Sequence, residues 1–137
     1  MAITVRQEQG AVPVTILNIE GNLDASNYQV AIASARQAYE QGARDLIVDM
    51  SAVPFMSSSG IVALHTIALI FRGVQPEDSQ GGWEALHSLD RDRDSGVQKH
   101  IKLLKPQERV AATLVKTGLN KFFEIYDNQD EAIASFK

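Results

Sequence analysis

Apolar and polar positions alternate along residues 3–8 and 12–20, with Gly10 between them, which predicts two strands joined as a hairpin. The next stretch, Gly21-Asn-Leu-Asp-Ala-Ser26, is rich in turn residues. Ser26 followed three residues later by Gln29 has the capping-box pattern, which places a helix start there. Tyr28, Ala31, Ile32, Ala35, Ala38 and Tyr39 then recur at helical spacing. Most of that apolar face is small, so the helix can sit close to a sheet. Gly42 is the expected stop.

Leu46, Ile47 and Val48 form a continuous apolar run, the mark of a strand that is central or covered on both faces. A second helix is expected over residues 59–72 and a fourth strand over 100–104. Pro106 suits the first turn of a third helix carrying Val110, Ala111, Leu114 and Val115. Gly118 would end it, with Leu119 making the apolar contact that accompanies such a cap. Residues 122–126 read as a last strand. Asn128 with Glu131 gives another capping box before Ala132, Ile133 and Phe136. The order β-β-α-β-α-β-α-β-α describes a single α/β domain whose mixed, largely parallel sheet has about five strands, with four helices.

Residues 74–99 break the pattern. They hold Pro76, Gly81, Gly82 and the run Asp90-Arg-Asp-Arg-Asp94, with six acids against three bases. A connection this long inside a compact domain is functional or mobile, and the segment is expected to be a mobile insertion or a lid. Trp83, Leu86 and Leu89 could form a short docking helix within it.

Composition narrows the function. The net charge is −4 over 137 residues and the bases are scattered, so nothing makes the basic stripe that nucleic-acid binding needs. The absence of cysteine excludes disulfides and thiolate metal or redox sites. The three histidines lack metal-ligand spacing, and neither a metal nor a cofactor is expected. The N-terminal residues do not have the basic start and apolar core of a signal peptide. The longest apolar run, residues 61–71, is too short to span a bilayer. A cytoplasmic protein without membrane partners is the expectation.

The stretch Asp45-Leu-Ile-Val-Asp-Met-Ser-Ala-Val-Pro-Phe-Met-Ser-Ser-Ser-Gly60 carries the candidate chemistry. A strand runs into a turn, and three serines stand at the mouth of an apolar helix. Helix N-termini offer unpaired N–H groups and the positive end of the dipole, where a phosphate is tolerated. The serines could equally do no more than cap the helix. Ile61, Leu64, Ala68 and Phe71 line one side of that helix, and Val62, Leu69 and Ile70 widen the apolar surface. Either the helix is buried on most sides, or part of this surface is a partner-binding patch beside the serines.

An enzyme reading fares poorly, and no catalytic residue is assigned. A serine hydrolase wants Gly-x-Ser-x-Gly at its elbow, and Met56 replaces the first glycine. His65, seven residues after Ser58, would lie about 10 Å along the helix axis, beyond the reach of a general base. Nothing favours His87 or His100 for that role. No Gly-x-x-x-x-Gly-Lys is present. Asp24 and Asp49 could be imagined as paired carboxylates, but Asp24 suits an Asx-type turn better.

Three stretches together resemble the STAS domain family of bacterial anti-sigma factor antagonists. Leu17-Asn-Ile-Glu-Gly-Asn-Leu-Asp-Ala-Ser26 looks like the family's second strand and following turn. Leu46 to Ile61 looks like its central strand and phospho-acceptor turn. Val115-Lys-Thr-Gly-Leu-Asn-Lys-Phe-Phe-Glu-Ile-Tyr126, followed by Glu131-Ala132, looks like its C-terminal third. The resemblance implies a partner-switching regulator. In the family a serine or threonine is phosphorylated by a serine kinase of the histidine-kinase-like ATPase type, which doubles as the anti-sigma factor. A PP2C-type phosphatase resets the cycle.

Carried over by position, the acceptor is Ser58, two residues before Gly60. The preceding residue is Ser57 where the family usually has aspartate, which leaves Ser57 as a rival acceptor. The implied partner-binding surface comprises Asp24, Ser57, Ser59, Gly60, Ile61 and Leu64. The alternative is a STAS module that is not phosphorylated: a scaffold subunit, or a regulator that binds a small ligand or lipid.

Overall fold

In a computed structural model of the chain, the structure describes residues 2–71 and 100–136. The stretch expected to be a mobile insertion or lid lies outside the described residues. Five strands, β1 (Ala2–Gln9), β2 (Pro13–Glu20), β3 (Leu46–Ala52), β4 (Ile101–Leu104) and β5 (Glu124–Tyr126), form one sheet in the spatial order β1-β2-β3-β4-β5. β1 pairs antiparallel with β2, and the remaining neighbours are parallel. The hairpin and the mixed, largely parallel sheet are those the hydrophobic pattern predicts, with β3 in the centre.

Five helices are described: α1 (Tyr28–Glu40), α2 (Ser58–Phe71), α3 (Glu108–Thr117), the single turn α4 (Leu119–Phe122) and α5 (Gln129–Ala134). The period-two alternation of the strands divides the core in two. Leu17, Ile19, Leu46, Val48 and Leu103 face α1, α2 and α3, where Ala31, Ala35, Leu64, Ile67, Val110 and Leu114 meet them. Val14, Ile16, Ile47 and Leu104 face the other way, onto Ala132 and Phe136 beside α5. α1 presents Ala31, Ala35 and Ala38 to the interior, small enough for close packing.

α2 is the most deeply placed helix. Ten of its residues, from Gly60 to Phe71, are buried. Its apolar residues run almost all round because it packs on its neighbours over most of its circumference. Among the described residues no helix is long and apolar enough to cross a membrane.

Several local expectations shift. α1 begins after Asn27 without a side-chain cap, because Ser26 turns its hydroxyl to Asp24 instead. Pro106 lies ahead of α3, whose N-cap is Gln107. Gly118, with φ of 80°, does end α3, and Leu119 is buried behind it. The chain then makes the extra turn α4 before β5, so Phe122 and Phe123 pack into the core edge to face at 4.9 Å rather than extending the strand. Asn128 caps α5 as expected, its side chain accepting from the Glu131 N–H at 3.0 Å.

Candidate functional site

Parallel strands connected by helices bring their C-terminal ends, and the loops leaving them, to one end of the sheet. Three loops meet there: residues 21–27 after β2, 53–57 after β3 and 105–107 after β4. The register between β2 and β3 slips between Asn18 and Glu20, where β2 leaves the ladder and the chain turns at Gly21, φ 104°.

The first two loops are laced together by backbone. Gly21 N–H donates to the Ala52 carbonyl at 2.9 Å, Leu23 N–H to Phe55 at 3.0 Å, and Ser57 N–H to Leu23 at 2.9 Å. Leu23 and Met56 form an isolated parallel bridge, with both side chains buried. Helix α2 then starts hard against Leu23. A β-carbon on Gly60 would stand 2.9 Å from the Leu23 carbonyl oxygen and 2.3 Å from Met56 Cγ. Gly60 is therefore needed for close approach, whatever else it does.

The three serines divide the work. Ser57 Oγ accepts from the Ser59 N–H at 3.2 Å, and the Ser57 carbonyl accepts from Ile61 at 3.2 Å. That is the behaviour of an N-cap residue, so the capping role belongs to Ser57. Ser59 is half-buried. Ser58, the first residue of α2, is exposed, and its hydroxyl has no hydrogen-bond partner among the described residues.

Asp24 orders its own turn. Its Oδ1 accepts from Ser26 Oγ at 2.6 Å and from the Ser26 N–H at 3.0 Å, while the Asn27 side chain accepts from the Asp24 N–H at 2.9 Å. The Ser26 hydroxyl and then its N–H hold the Asp24 carboxyl below the usual carboxylate range. Asp24 thus stands as an anion at the same end of the sheet as Ser58.

Not every expected residue reaches this surface. Leu64 is wholly buried and Ile61 nearly so, both in the core that includes Leu23 and Met56. They support the turn from beneath, because α2 is covered on the side that faces the sheet, and they form no apolar patch beside Ser58. Asp49 lies on the other face of the sheet from α2, accepting from Asn18 Nδ2 at 3.2 Å and Ser51 N–H at 3.0 Å. The two carboxylates do not meet: Asp24 orders its own turn, and Asp49 links β3 to Asn18 of β2. His65 is buried against Phe122, ring centroids 5.8 Å apart. His100 pairs with Asp45 at 3.0 Å where β3 and β4 begin, at the opposite end of the sheet. His87 lies outside the described residues.

The structure adds residues the pattern alone did not single out. Phe55, three positions before Ser58, is 38 % exposed, with the Arg109 guanidinium 5.5 Å from its ring centroid. Gln107 Nε2 donates to the Ser51 carbonyl at 2.8 Å, tying the start of α3 to the end of β3. An aromatic residue next to a proline and a polar turn was the one available signal for Phe55. Arg109 belongs to this end of the molecule only through the fold.

Residues 2–75 match the STAS domain. The chain belongs to the STAS domain family. None of the curated proteins matches the sequence. Among solved structures, this STAS domain is similar to an anti-sigma factor antagonist from Mycobacterium paratuberculosis, with 17 % identity, 98 % of this chain and 94 % of that one covered, and a TM-score of 0.67. It is also similar to a candidate anti-sigma factor antagonist from Thermotoga maritima, with 20 % identity, 90 % and 86 % covered, and a TM-score of 0.66. A third is the Bacillus cell fate determinant SpoIIAA in its phosphorylated form, with 18 % identity, 98 % and 100 % covered, and a TM-score of 0.54. At these identities the likeness is one of fold.

Proposed function

We propose that this STAS domain is a partner-switching regulator of the anti-sigma factor antagonist type, acting as a phosphorylation substrate and binding module rather than as an enzyme. The observation that carries the proposal is Ser58: an exposed hydroxyl without a hydrogen-bond partner among the described residues, on the first residue of a helix, at the loop end of a STAS fold. Ser57 is the weaker acceptor because its Oγ already caps α2. That solved structures of this fold include an anti-sigma factor antagonist and a phosphorylated form of SpoIIAA supports the same reading.

The partners are a serine kinase of the histidine-kinase-like ATPase type, which is also the anti-sigma factor, and a PP2C-type phosphatase, in the cytoplasm. The kinase contacts the accessible parts of the loop end: exposed Ser58 and half-buried Ser59 and Asp24, with Phe55 as an aromatic anchor. Phosphate on Ser58 would add a charge of about −1.5 to −2 and three strong acceptors. Within the domain the N-terminus of α2 tolerates it. Across the interface the same charge joins Asp24 and must be desolvated, which weakens the complex.

Ser58→Asp is expected to weaken kinase binding by about 3 kcal/mol, more than a hundredfold, with the fold intact. Calorimetry at matched salt tests this, and equal binding of variant and wild type would overturn the switch. Phosphosite mapping on protein from its own cells should find phosphate on Ser58. Phosphate on Ser57 would move the site by one residue. An unmodified turn in every condition would favour the second reading, a STAS scaffold or ligand-binding module without phosphate, which the serine at position 57 in place of aspartate also favours.

A further inference from the structure

Strand β1 lies at the edge of the sheet, and among the described residues β2 is the one strand paired with it. It is eight residues long and pairs with β2 through eight consecutive positions without a register shift. It contains neither proline nor lysine, two of the devices that blunt an edge, and no bulge, and its charged residues Arg6 and Glu8 are of opposite sign. Val5 stands 47 % exposed on it.

Which of its backbone groups are unpaired follows from the far side of β2. The Thr15 N–H donates to the Asp45 carbonyl, so Thr15, and by alternation Leu17 and Ile19, direct their backbone groups at β3. Val14, Ile16, Asn18 and Glu20 therefore face β1, bonding to Glu8, Arg6, Thr4 and Ala2. That leaves the N–H and C=O groups of Ile3, Val5, Gln7 and Gln9 pointing outward.

We infer that this edge pairs with β1 of a second copy, antiparallel about a two-fold axis at Gln7, to make one continuous ten-stranded sheet. Charge selects the register. Centred on Gln7, Arg6 stands directly opposite Glu8 of the partner subunit, and Glu8 opposite the partner's Arg6. Both are non-hydrogen-bonded positions, where side chains come closest. Centring on Arg6 sets two guanidiniums face to face, and centring on Val5 leaves Glu8 opposite an alanine. The surroundings fit as well. Glu8 borders a groove of about 390 Å³ that Asp130 and Ile133 of α5 also line, and Arg6 donates to Gln129 Oε1 of the same helix at 2.5 Å, so both charged residues lie on the α5 side of the sheet. Six outward backbone hydrogen bonds close in this register, from Val5, Gln7 and Gln9 of each copy.

This inference is independent of the function proposed for Ser58, which begins helix α2 beyond the end of β3. It is tested on the full chain by sedimentation over a wide concentration range, together with NMR amide exchange. Concentration-dependent dimerisation is expected, with the Val5, Gln7 and Gln9 amides slowing as dimer forms while Arg6 and Glu8 stay protected throughout. Arg6→Glu should raise the dissociation constant about tenfold or more, because it sets like charges opposite each other twice. Arg6→Glu with Glu8→Arg should restore it. Gln7→Pro removes the two central bonds while keeping the ladder to β2, and should leave a folded monomer. A monomer at every concentration, a dimer indifferent to these changes, or outward amides that exchange equally fast in the dimer would each overturn the pairing.

Discussion

The two turns that meet at the loop end of the sheet are built by opposite means. The turn after β2 is held by its own side chains: Asp24, Ser26 and Asn27 bond one another and the local backbone. The turn after β3 is held from outside, by backbone bonds to Leu23 and by the close seating of Gly60. In the first, polar side chains are consumed by structure. In the second, the neighbour supplies the order, and the Ser58 hydroxyl is left exposed. Support from a neighbouring segment is what allows a polar residue in a tight turn to remain exposed.

The seating of the two turns is most sensitive at Gly60. Gly60→Ala forces a methyl group into the Leu23 carbonyl and Met56, and overpacking of this kind costs about 1–3 kcal/mol. Urea or thermal unfolding should find the loss. An unchanged midpoint would mean that the two loops are not tightly seated. Next comes Ser57→Ala, which removes the cap of α2 and should cost about 1 kcal/mol in the same unfolding assay. Ser58→Ala should stay within about 0.5 kcal/mol, as expected of an exposed side chain that holds nothing in place. If the two substitutions exchanged their effects, Ser58 would be the cap and Ser57 the free hydroxyl.

A smaller effect is expected from acid. The Asp24 carboxyl is held low by Ser26, so its contribution is present above the ordinary aspartate value, about 3.9. It is lost as pH falls through the lower value of the folded protein. The Ser26 amide should therefore keep its NMR shift from neutral pH to about 4 and move only below that. Movement already near pH 6 would show that the carboxylate is not what holds the turn. Asp24→Asn should remove the low-pH transition with little change at neutral pH.

The strands, the hairpin, the position of α2 and the cap at Asn128 were legible because each is written in local periodicity or in adjacent residues. Ser26 misled for an equally local reason. It satisfies a capping pattern, but a carboxylate two residues back competes for the same hydroxyl. Ile61 and Leu64 misled because a helix that is apolar nearly all round has the same pattern whether it is buried or offers a face to a partner. Arg109 and Phe55 are 54 positions apart, and no spacing rule connects them.

Local sequence accounts for most of the elements, their order, the alternation that makes a mixed sheet with two faces, and the serine-rich turn between β3 and α2. The tertiary structure alone decided which of three adjacent serines caps and which is free, since that depends on where the chain arriving from Leu23 seats the helix. It also decided that Leu64 lies inward, that Arg109 reaches Phe55, and that the outward backbone of β1 has no described neighbour. Those are properties of distance between remote segments, and hydrophobic periodicity carries information only about near ones.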